Sequence, residues 1–491
     1  MKRLKYTVDE LNCLYERLVT KAITQYNKHN YTKSINCIRS AAYFQYHINY
    51  IYNDIRLENL LRNISALFYQ DVYGYIKSDV IFFYDSFCLD NRGLTQHYLD
   101  ALFYNRFQVV YILEKPNYDV DSDIIRFLHE KKAIIQTLPH GSWKDKTDFL
   151  HLLIEQYKPS ATLFHLHPYT TIPFIAFYPY KTMLKYQINL TDHAFWLGDS
   201  NFFNFSYEFR QYGVEVSRSR RGFKVEQLIL NPFYPWQSST PFQGFPISTE
   251  GKFIVFSGGA MYKIEGDNNM YFHISKAILD TYPNVILFYA GTGNSEHLER
   301  FIAENNYQQR FILLGQRKDI DAVFKKCDIY LSTYPIGGGL MSQYAAINKK
   351  PIIVYKSSKI EKEICTKQYA PFKFDTIEGI IEEIGKMINN QDYLYSKGVF
   401  INSLVSTQND FREHFNNTFL KPFFTNDTLD CHEFIDYSMF HYEYIERINN
   451  NVFGLIEVPL IKNKVFTYKV IVNTLKYLSF KIINSIKDLL F

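Results

Sequence analysis

The feature that most constrains this chain is an alternation of short apolar runs with amphipathic stretches of helical length, and it occurs twice. The first series begins near residue 79. There "DVIFFYD", "FQVVYIL", "AIIQTL" and "ATLFHLH" read as strands; "CLDNRGLTQHYLDALF" reads as a loop containing Gly93 and then a helix, and helices are predicted over "DSDIIRFLHEKK" and "TDFLHLLIEQY". The second begins at residue 252, with strands "KFIVFS", "NVILFYA", "RFILLG", "DIYLS" and "PIIVY". Helices "NMYFHISKAILD", "EHLERFIAEN", "IDAVFKK" and "LMSQYAAIN" separate them. Alternation at these lengths predicts parallel sheets with helices on both faces. The expected class is therefore α/β, with two Rossmann-like doubly wound domains facing each other across a cleft.

Length predicts two or three domains, because 491 residues exceed what one core usually holds. The stretch "LNPFYPWQSSTPFQGFP", residues 230–246, is rich in Pro, Ser and Gln and reads as a linker. Residues 1–72 are expected as an N-terminal helical segment and 73–245 as the first Rossmann-like domain. The second domain is expected over 246–390, followed by a helical extension over 391–491. That extension ends in a lysine-rich amphipathic tail, a pattern suited to an anionic membrane surface.

Charge and cysteine usage exclude other classes. A net charge of +4 with no Lys/Arg block does not suit a nucleic-acid partner. The 41 Tyr and 42 Phe are spread along the whole chain, which marks compositional bias in preference to a stacking platform. Cysteines at 13, 37, 88, 327, 365 and 431 have neither zinc nor disulfide-framework spacing, so reduced, buried thiols are expected. The start "MKRLKYTVDELNC" lacks the apolar core of a secretory signal, and no run of 18 apolar residues occurs. A cytoplasmic protein, in contact with the inner face of the cell membrane through its tail, is the expectation.

The loops after the second-series strands carry the chemistry. After "KFIVFS" come Gly258, Gly259 and Lys263; after "NVILFYA", Gly291 and Gly293; after "RFILLG", Gln316 and Arg317. After "DIYLS" comes "TYPIGGGLMSQYAA", with Tyr334 and then Gly337, Gly338 and Gly339 directly before a helix. A parallel sheet places all of these on one edge. Bare N–H groups at a helix start, with a cation nearby, suit an anionic ligand such as a diphosphate. "GTGNSE" lacks the third glycine of a dinucleotide fingerprint, and no Walker sequence occurs, which disfavours nicotinamide enzymes and P-loop NTPases.

"FSGGAMYKI" together with "CDIYLSTYPIGGGLMSQYAAINKKPIIV" resembles the donor half of O-GlcNAc-transferase-like and related bacterial enzymes of the GT-B class of sugar-nucleotide glycosyltransferases. In the first half, "NRGLTQHYLDAL" and "NLTDHAFWLGDSNFFNFSYEFRQYGVEVSRSRRG" resemble bacterial surface-polysaccharide transferases. The resemblance implies a donor diphosphate held by Lys263 and by the turn at Gly337–Gly339. The acid that binds ribose in such enzymes is replaced here by Gln343 or Tyr344. It also implies no metal or other cofactor, the substrate being a nucleoside diphosphate sugar, with a UDP-sugar expected. The expected activity is transfer of a hexosyl or N-acetylhexosaminyl group to a hydroxyl of a surface glycan, glycolipid or glycoprotein. A nucleotide-sugar epimerase of the same architecture and a non-catalytic transferase-like subunit stay open as alternatives.

On the acceptor side, His193 in "LTDHAFW" is the first choice for proton transfer, with Asp192 orienting it or acting as the base. Gly93, His140, Arg218, Arg220 and Arg221 are further acceptor-side candidates, the arginines on a basic loop. His165 and His167, two apart in a strand, read as structural. In "DVDSD" the acids read as a helix cap.

Overall fold

A computed structural model describes residues 4–74, 78–87, 94–115, 118–120, 122–191, 194–209, 211–231, 234, 236, 240–355, 373–421, 444–445, 448–449 and 454–490, the last eleven by backbone alone. The chain forms two compact units. One comprises Met1–Asn231 and Arg412–Phe491, the other Pro232–Phe411.

The first unit opens with helices α1 (Val8–Asn27), α2 (Tyr31–Ile48) and α3 (Ile55–Phe68). Thr7 and Glu10 close a reciprocal capping box at the start of α1, satisfying two N–H groups that a helix start leaves open. The sheet strands are β1 (Ser78–Asp85), β2 (Gln108–Leu113), β3 (Ile134–Thr137), β4 (Pro159–His165), β5 (Leu184–Ile188), β6 (Phe205–Glu208) and β7 (Leu228–Leu230). Between them run α4 (Leu94–Tyr104), α5 (Asp123–Glu130), α6 (Trp143–Tyr157), α7 (Ile172–Phe177) and α8 (Gln211–Arg221). Strand order is β3-β2-β1-β4-β5-β6-β7, with every pairing parallel. The winding direction reverses where β1 meets β4, the point at which such sheets bind ligands.

The second unit holds β8 (Phe253–Gly258), β9 (Val285–Ala290), β10 (Phe311–Gly315), β11 (Ile329–Leu331), β12 (Ile352–Tyr355) and β13 (Lys373–Phe374). Their order is β10-β9-β8-β11-β12-β13, again all parallel. Helices α9 (Met270–Thr281), α10 (Glu296–Glu304), α11 (Ile320–Lys326) and α12 (Gly339–Ile347) connect them.

Three expectations change. The N-terminal helices are not a separate segment: Leu18, Phe44 and Leu61 share one buried cluster with Phe82, Tyr84 and Phe164 of the sheet. The stretch read as a linker is tied into the second unit. There Phe245 stacks on Phe288 at 4.1 Å, and the Gln243 N–H donates to Asp319 at 2.8 Å. The C-terminal extension divides. Helix Ile377–Asn389 belongs to the second unit as expected, but helix Gln391–Ser403 does too, and from Arg412 the chain rejoins the first.

Aromatic packing secures that return. Phe415 is fully buried, stacking on Phe419 at 4.6 Å and on Tyr207 of β6 at 5.8 Å. Arg412 forms a two-point ion pair with Asp100 of α4, each bond 2.8 Å long. Thiol burial holds for Cys37 and Cys327, but Cys13 is exposed on α1; Cys88, Cys365 and Cys431 lie outside the described residues. Removing a large buried ring typically costs about 3–5 kcal/mol. Phe415→Ala is therefore expected to destabilise the first unit by about that amount, measured as a lowered midpoint in chemical unfolding.

Candidate active site

Parallel pairing brings the carboxyl ends of β8, β9, β10, β11 and β12 to one edge of the second sheet, and backbone hydrogen bonds join the loops there. The Gly259 N–H donates to the Ala290 carbonyl at 2.9 Å, and Met261 to Thr292 at 2.8 Å. Gly291 donates to Gly315 at 2.9 Å, and Ile336 to Lys263 at 3.3 Å. Glycine is required at these contacts. A Cβ at Gly291 would lie 1.8 Å from the Gly259 carbonyl oxygen. At Gly258 and Gly338 a Cβ would be less crowded, 2.9 Å from the Ala290 carbonyl oxygen and 2.9 Å from the Tyr330 hydroxyl. These three glycines serve close packing at the strand ends first. Gly293 turns beside Met261 at positive φ, while at Gly339, the first residue of α12, a Cβ would meet nothing within 4 Å. That opening lies where the helix presents its unbonded N–H groups.

Lys263 stands on a single helical turn, Met261–Ile264, and is half-buried. Its Nζ donates to the Gly337 carbonyl at 3.4 Å. The ammonium is thereby held at the start of α12, a helix with no side-chain cap. A cation beside an uncapped helix N-terminus gives a locally positive, donor-rich corner. Tyr334 is buried behind it and donates its hydroxyl to Asp267.

The remaining donor-side candidates divide. Gln343 lies in α12 and its Oε1 is buried with no hydrogen-bond partner. Tyr344 is not open to a ligand in the same way: its hydroxyl donates to the Trp236 carbonyl at 2.5 Å, and its ring is parallel to that of Phe324. Gln316 is exposed after β10. Arg317 does not serve the rim as expected. Its guanidinium is spent on Asp319, at 2.6 and 2.7 Å, and on the Gly244 carbonyl at 2.8 Å. It anchors the incoming chain.

In the first unit, Asp192, His193 and Gly93 lie outside the described residues. His140 is exposed between β3 and α6. "SRSRR" is the end of helix α8 and not a loop. Arg218 pairs with Glu215 at 2.8 Å, Arg220 is exposed, and Arg221 is buried. The guanidinium of Arg221 sits 5.6 Å from the Trp196 ring and 5.4 Å from Phe223, and Nη2 donates to Gln187 at 3.4 Å. Arg221 is thus a core cation that does not reach out to an acceptor. In "DVDSD" the cap of α5 is Ser122, which accepts from the Ile125 N–H at 3.3 Å.

A pair that sequence spacing does not reveal stands at the winding reversal of the first sheet. Asp85 ends β1 and His165 ends β4, and the two are register partners. His165 Nδ1 lies 3.0 Å from Asp85 Oδ1. The same carboxylate accepts from the Tyr111 hydroxyl at 2.5 Å and from the Phe87 N–H at 2.9 Å. Both residues are buried, and His165 Nε2 has no partner. A carboxylate holding Nδ1–H orients the imidazole and leaves Nε2 to accept a proton. His167, two residues on, has a different role: it packs between Phe87 and Tyr169, and burial, aided by His165, pushes its pKa down to about 4. The sequence signal was partial: Asp85 closes a predicted strand, while His165 lies two residues inside the predicted "ATLFHLH", whose observed strand ends earlier, at His165. It became a pair only through the adjacency of β1 and β4.

No protein-family model matches this chain, and no curated protein matches it in sequence. Solved structures match in fold. HepE from Anabaena, in complex with UDP and glucose, aligns with a TM-score of 0.50 at 14% identity over 69% of this chain and 98% of HepE. A glycosyltransferase from Rickettsia africae aligns at 0.51 and 10% identity, covering 69% and 97%. TarM from S. aureus aligns at 0.51 and 12%, covering 70% and 100%. The fold is that of the GT-B glycosyltransferases, with two parallel-sheet α/β units.

Burial around Arg221 sets a pH dependence. Glu58 is fully buried and its pKa is pushed up to about 8, chiefly by burial and then by Asp199; the Gly198 N–H and Arg221 pull it back. A carboxyl whose pKa rises on folding is stabilising only while protonated, so its contribution is lost as pH climbs from the unfolded value to the folded one. Glu58→Gln keeps an acceptor for Gly198 and cannot ionise. Its stability gain over the native chain is expected to grow between pH 4.5 and about 8 and to level off above, as read from unfolding midpoints across that range.

Proposed function

We propose that this protein is a glycosyltransferase that moves a sugar from a nucleoside diphosphate donor to a hydroxyl of a glycan, glycolipid or glycoprotein. The observation that carries the reading is the corner built by Lys263 and Gly337 at the open N-terminus of α12. In this reading the donor diphosphate rests on the first N–H groups of α12, with Lys263 as the point charge. Gln343, whose buried oxygen has no partner, takes a ribose hydroxyl. No cofactor beyond the substrate belongs to the reading. UDP-glucose is the first donor to test, because HepE has been solved with UDP and with UDP-glucose. The transferred group is read as hexosyl or N-acetylhexosaminyl, and the setting as surface-polysaccharide synthesis.

His165 is assigned the proton. In the transfer the acceptor oxygen bonds to the anomeric carbon, the bond from that carbon to the diphosphate oxygen breaks, and the acceptor hydroxyl gives up its proton to a base, the role read for His165 within the first unit. Within the first unit, Asp85 is read as stabilising an imidazolium at His165 through Nδ1; within the second, taken by itself, Lys263 with the α12 N–H groups is read as offsetting the charge left on a departing diphosphate.

Calorimetry with UDP-sugars is expected to show binding to the native chain and its loss in Lys263→Ala; equal affinity in the two would end the reading. His165→Gln is expected to bind donor normally while turnover falls by about 10²–10⁴-fold, the usual worth of a positioned acid or base. Normal turnover in His165→Gln would remove that residue from the mechanism. Epimerised UDP-sugar appearing without any acceptor would assign the protein to epimerase chemistry instead.

A further inference from the structure

The C-terminal helix Tyr468–Leu490 carries two faces with opposite environments. One face is fastened to the first unit. Asn473 is fully buried, its Nδ2 donating to the Leu4 carbonyl at 2.9 Å and its Oδ1 accepting from the Leu4 N–H at 3.0 Å. Val470 is also fully buried, and Lys469 pairs with Glu10 at 2.7 Å. The other face shows a stripe of large apolar side chains to solvent. Tyr468 is 76% exposed, Ile471 44%, Leu475 58% and Leu478 48%, with Phe466 at 50% just before the helix. Steps of three, four and three residues put the four helical positions on one line. The sequence continues the same steps at Ile482, Ile486 and Leu489.

Soluble surfaces scatter such residues singly, and a contiguous stripe marks something that covers it. Charge chooses the occupant. Residues 462–491 contain Lys462, Lys464, Lys469, Lys476, Lys481 and Lys487 against Asp488 as the one acid. Lys462 and Lys464 are exposed immediately before the helix. A second copy of the same helix would bring like charges together, whereas anionic lipid headgroups complement them. Phe466 and Tyr468, at the head of the stripe, are the residue types that favour a water–lipid boundary. Among the described residues no helix is long and apolar enough to cross a membrane, so the fitting geometry is a helix lying in the surface.

We infer that the C-terminal helix docks this protein on an anionic lipid bilayer, its Tyr468–Ile471–Leu475–Leu478 stripe buried at the headgroup boundary and the Asn473 face holding the first unit to it. This does not depend on the glycosyltransferase reading. Cations alone would give attachment fully reversed by salt; the stripe adds an apolar component that salt does not remove.

The test is co-sedimentation of the full chain with phosphatidylcholine vesicles, with and without phosphatidylglycerol. Binding is expected to the phosphatidylglycerol vesicles and to be weak to phosphatidylcholine alone. The double variant Leu475→Glu, Leu478→Glu changes only exposed positions and is expected to keep the native unfolding midpoint. Its vesicle affinity is expected to fall by about tenfold or more, since charges replace the buried apolar area. Undiminished binding by that variant, or no binding by the native chain, overturns the inference. So does a concentration-dependent dimer that the variant abolishes in the absence of lipid, since that outcome seats a second copy on the stripe. Lys263→Ala is expected to bind vesicles as the native chain does, so failure at the donor corner and failure at the helix are separable.

Discussion

Parallel strand pairing is the constraint on which the rest of this molecule depends. Each strand of a parallel sheet must be followed by a crossover before the chain can run in the same direction again. Every carboxyl end therefore arrives at one edge, and every loop after a strand is crowded against its neighbours. In the second sheet that crowding leaves Gly291 and Gly259 in backbone contact and joins the loops by hydrogen bonds. Glycine at those positions is first a condition for the loops to share an edge. A ligand then finds a rim already fixed in shape. The open place on that rim is the first turn of α12, where Gly339 has free space and Lys263 reaches the Gly337 carbonyl.

The first sheet uses the same constraint for a different chemistry. Its reversal of winding sets β1 beside β4, and the last residues of those strands, Asp85 and His165, become register partners. Deep burial makes that hydrogen bond directional. Tyr111 and the Phe87 N–H satisfy the rest of the carboxylate, so the carboxyl group is not left uncompensated in the core. A second buried polar group, around Arg221 and Glu58, has no such completeness. Glu58 Oε2, Asn189 Oδ1 and two nitrogens of Arg221 lack partners, which is why burial perturbs the ionisation of both charged residues.

Several features were open to reading before any coordinates. The strands from 79 to 165 and from 252 to 355 announce themselves by apolar runs, and the helices between them by three- and four-residue steps. The clustering of Gly258, Gly291, Gly338 and Lys263 followed once parallel pairing was inferred. Other features were not legible. The short strands β5, β6 and β7 carry weak patterns, and they hold their places by pairing and by aromatic contacts such as Tyr186 with Phe205 and Phe419. "SRSRRG" looks like a solvated basic loop because arginine and serine dominate it. Its first five residues are the end of α8, whose Val214, Val216 and Ser217 are buried, which composition alone does not announce.

What the sequence determined by itself is local: element type, the two alternating series, the amphipathic tail and the residues at strand ends. Periodicity and backbone preference act over a few residues, and a linear reading reaches that far. The tertiary structure decided which distant residues meet. It withdrew Arg317 to Asp319 and Tyr344 to the Trp236 carbonyl, and buried Arg221 under Trp196. It also paired Asp85 with His165 across eighty residues of chain. The physical reason is common to all four, with Arg221 satisfied only in part. A charged or polar side chain taken out of water must find a partner, and the nearest partner in space is set by strand order and packing, which no local pattern encodes.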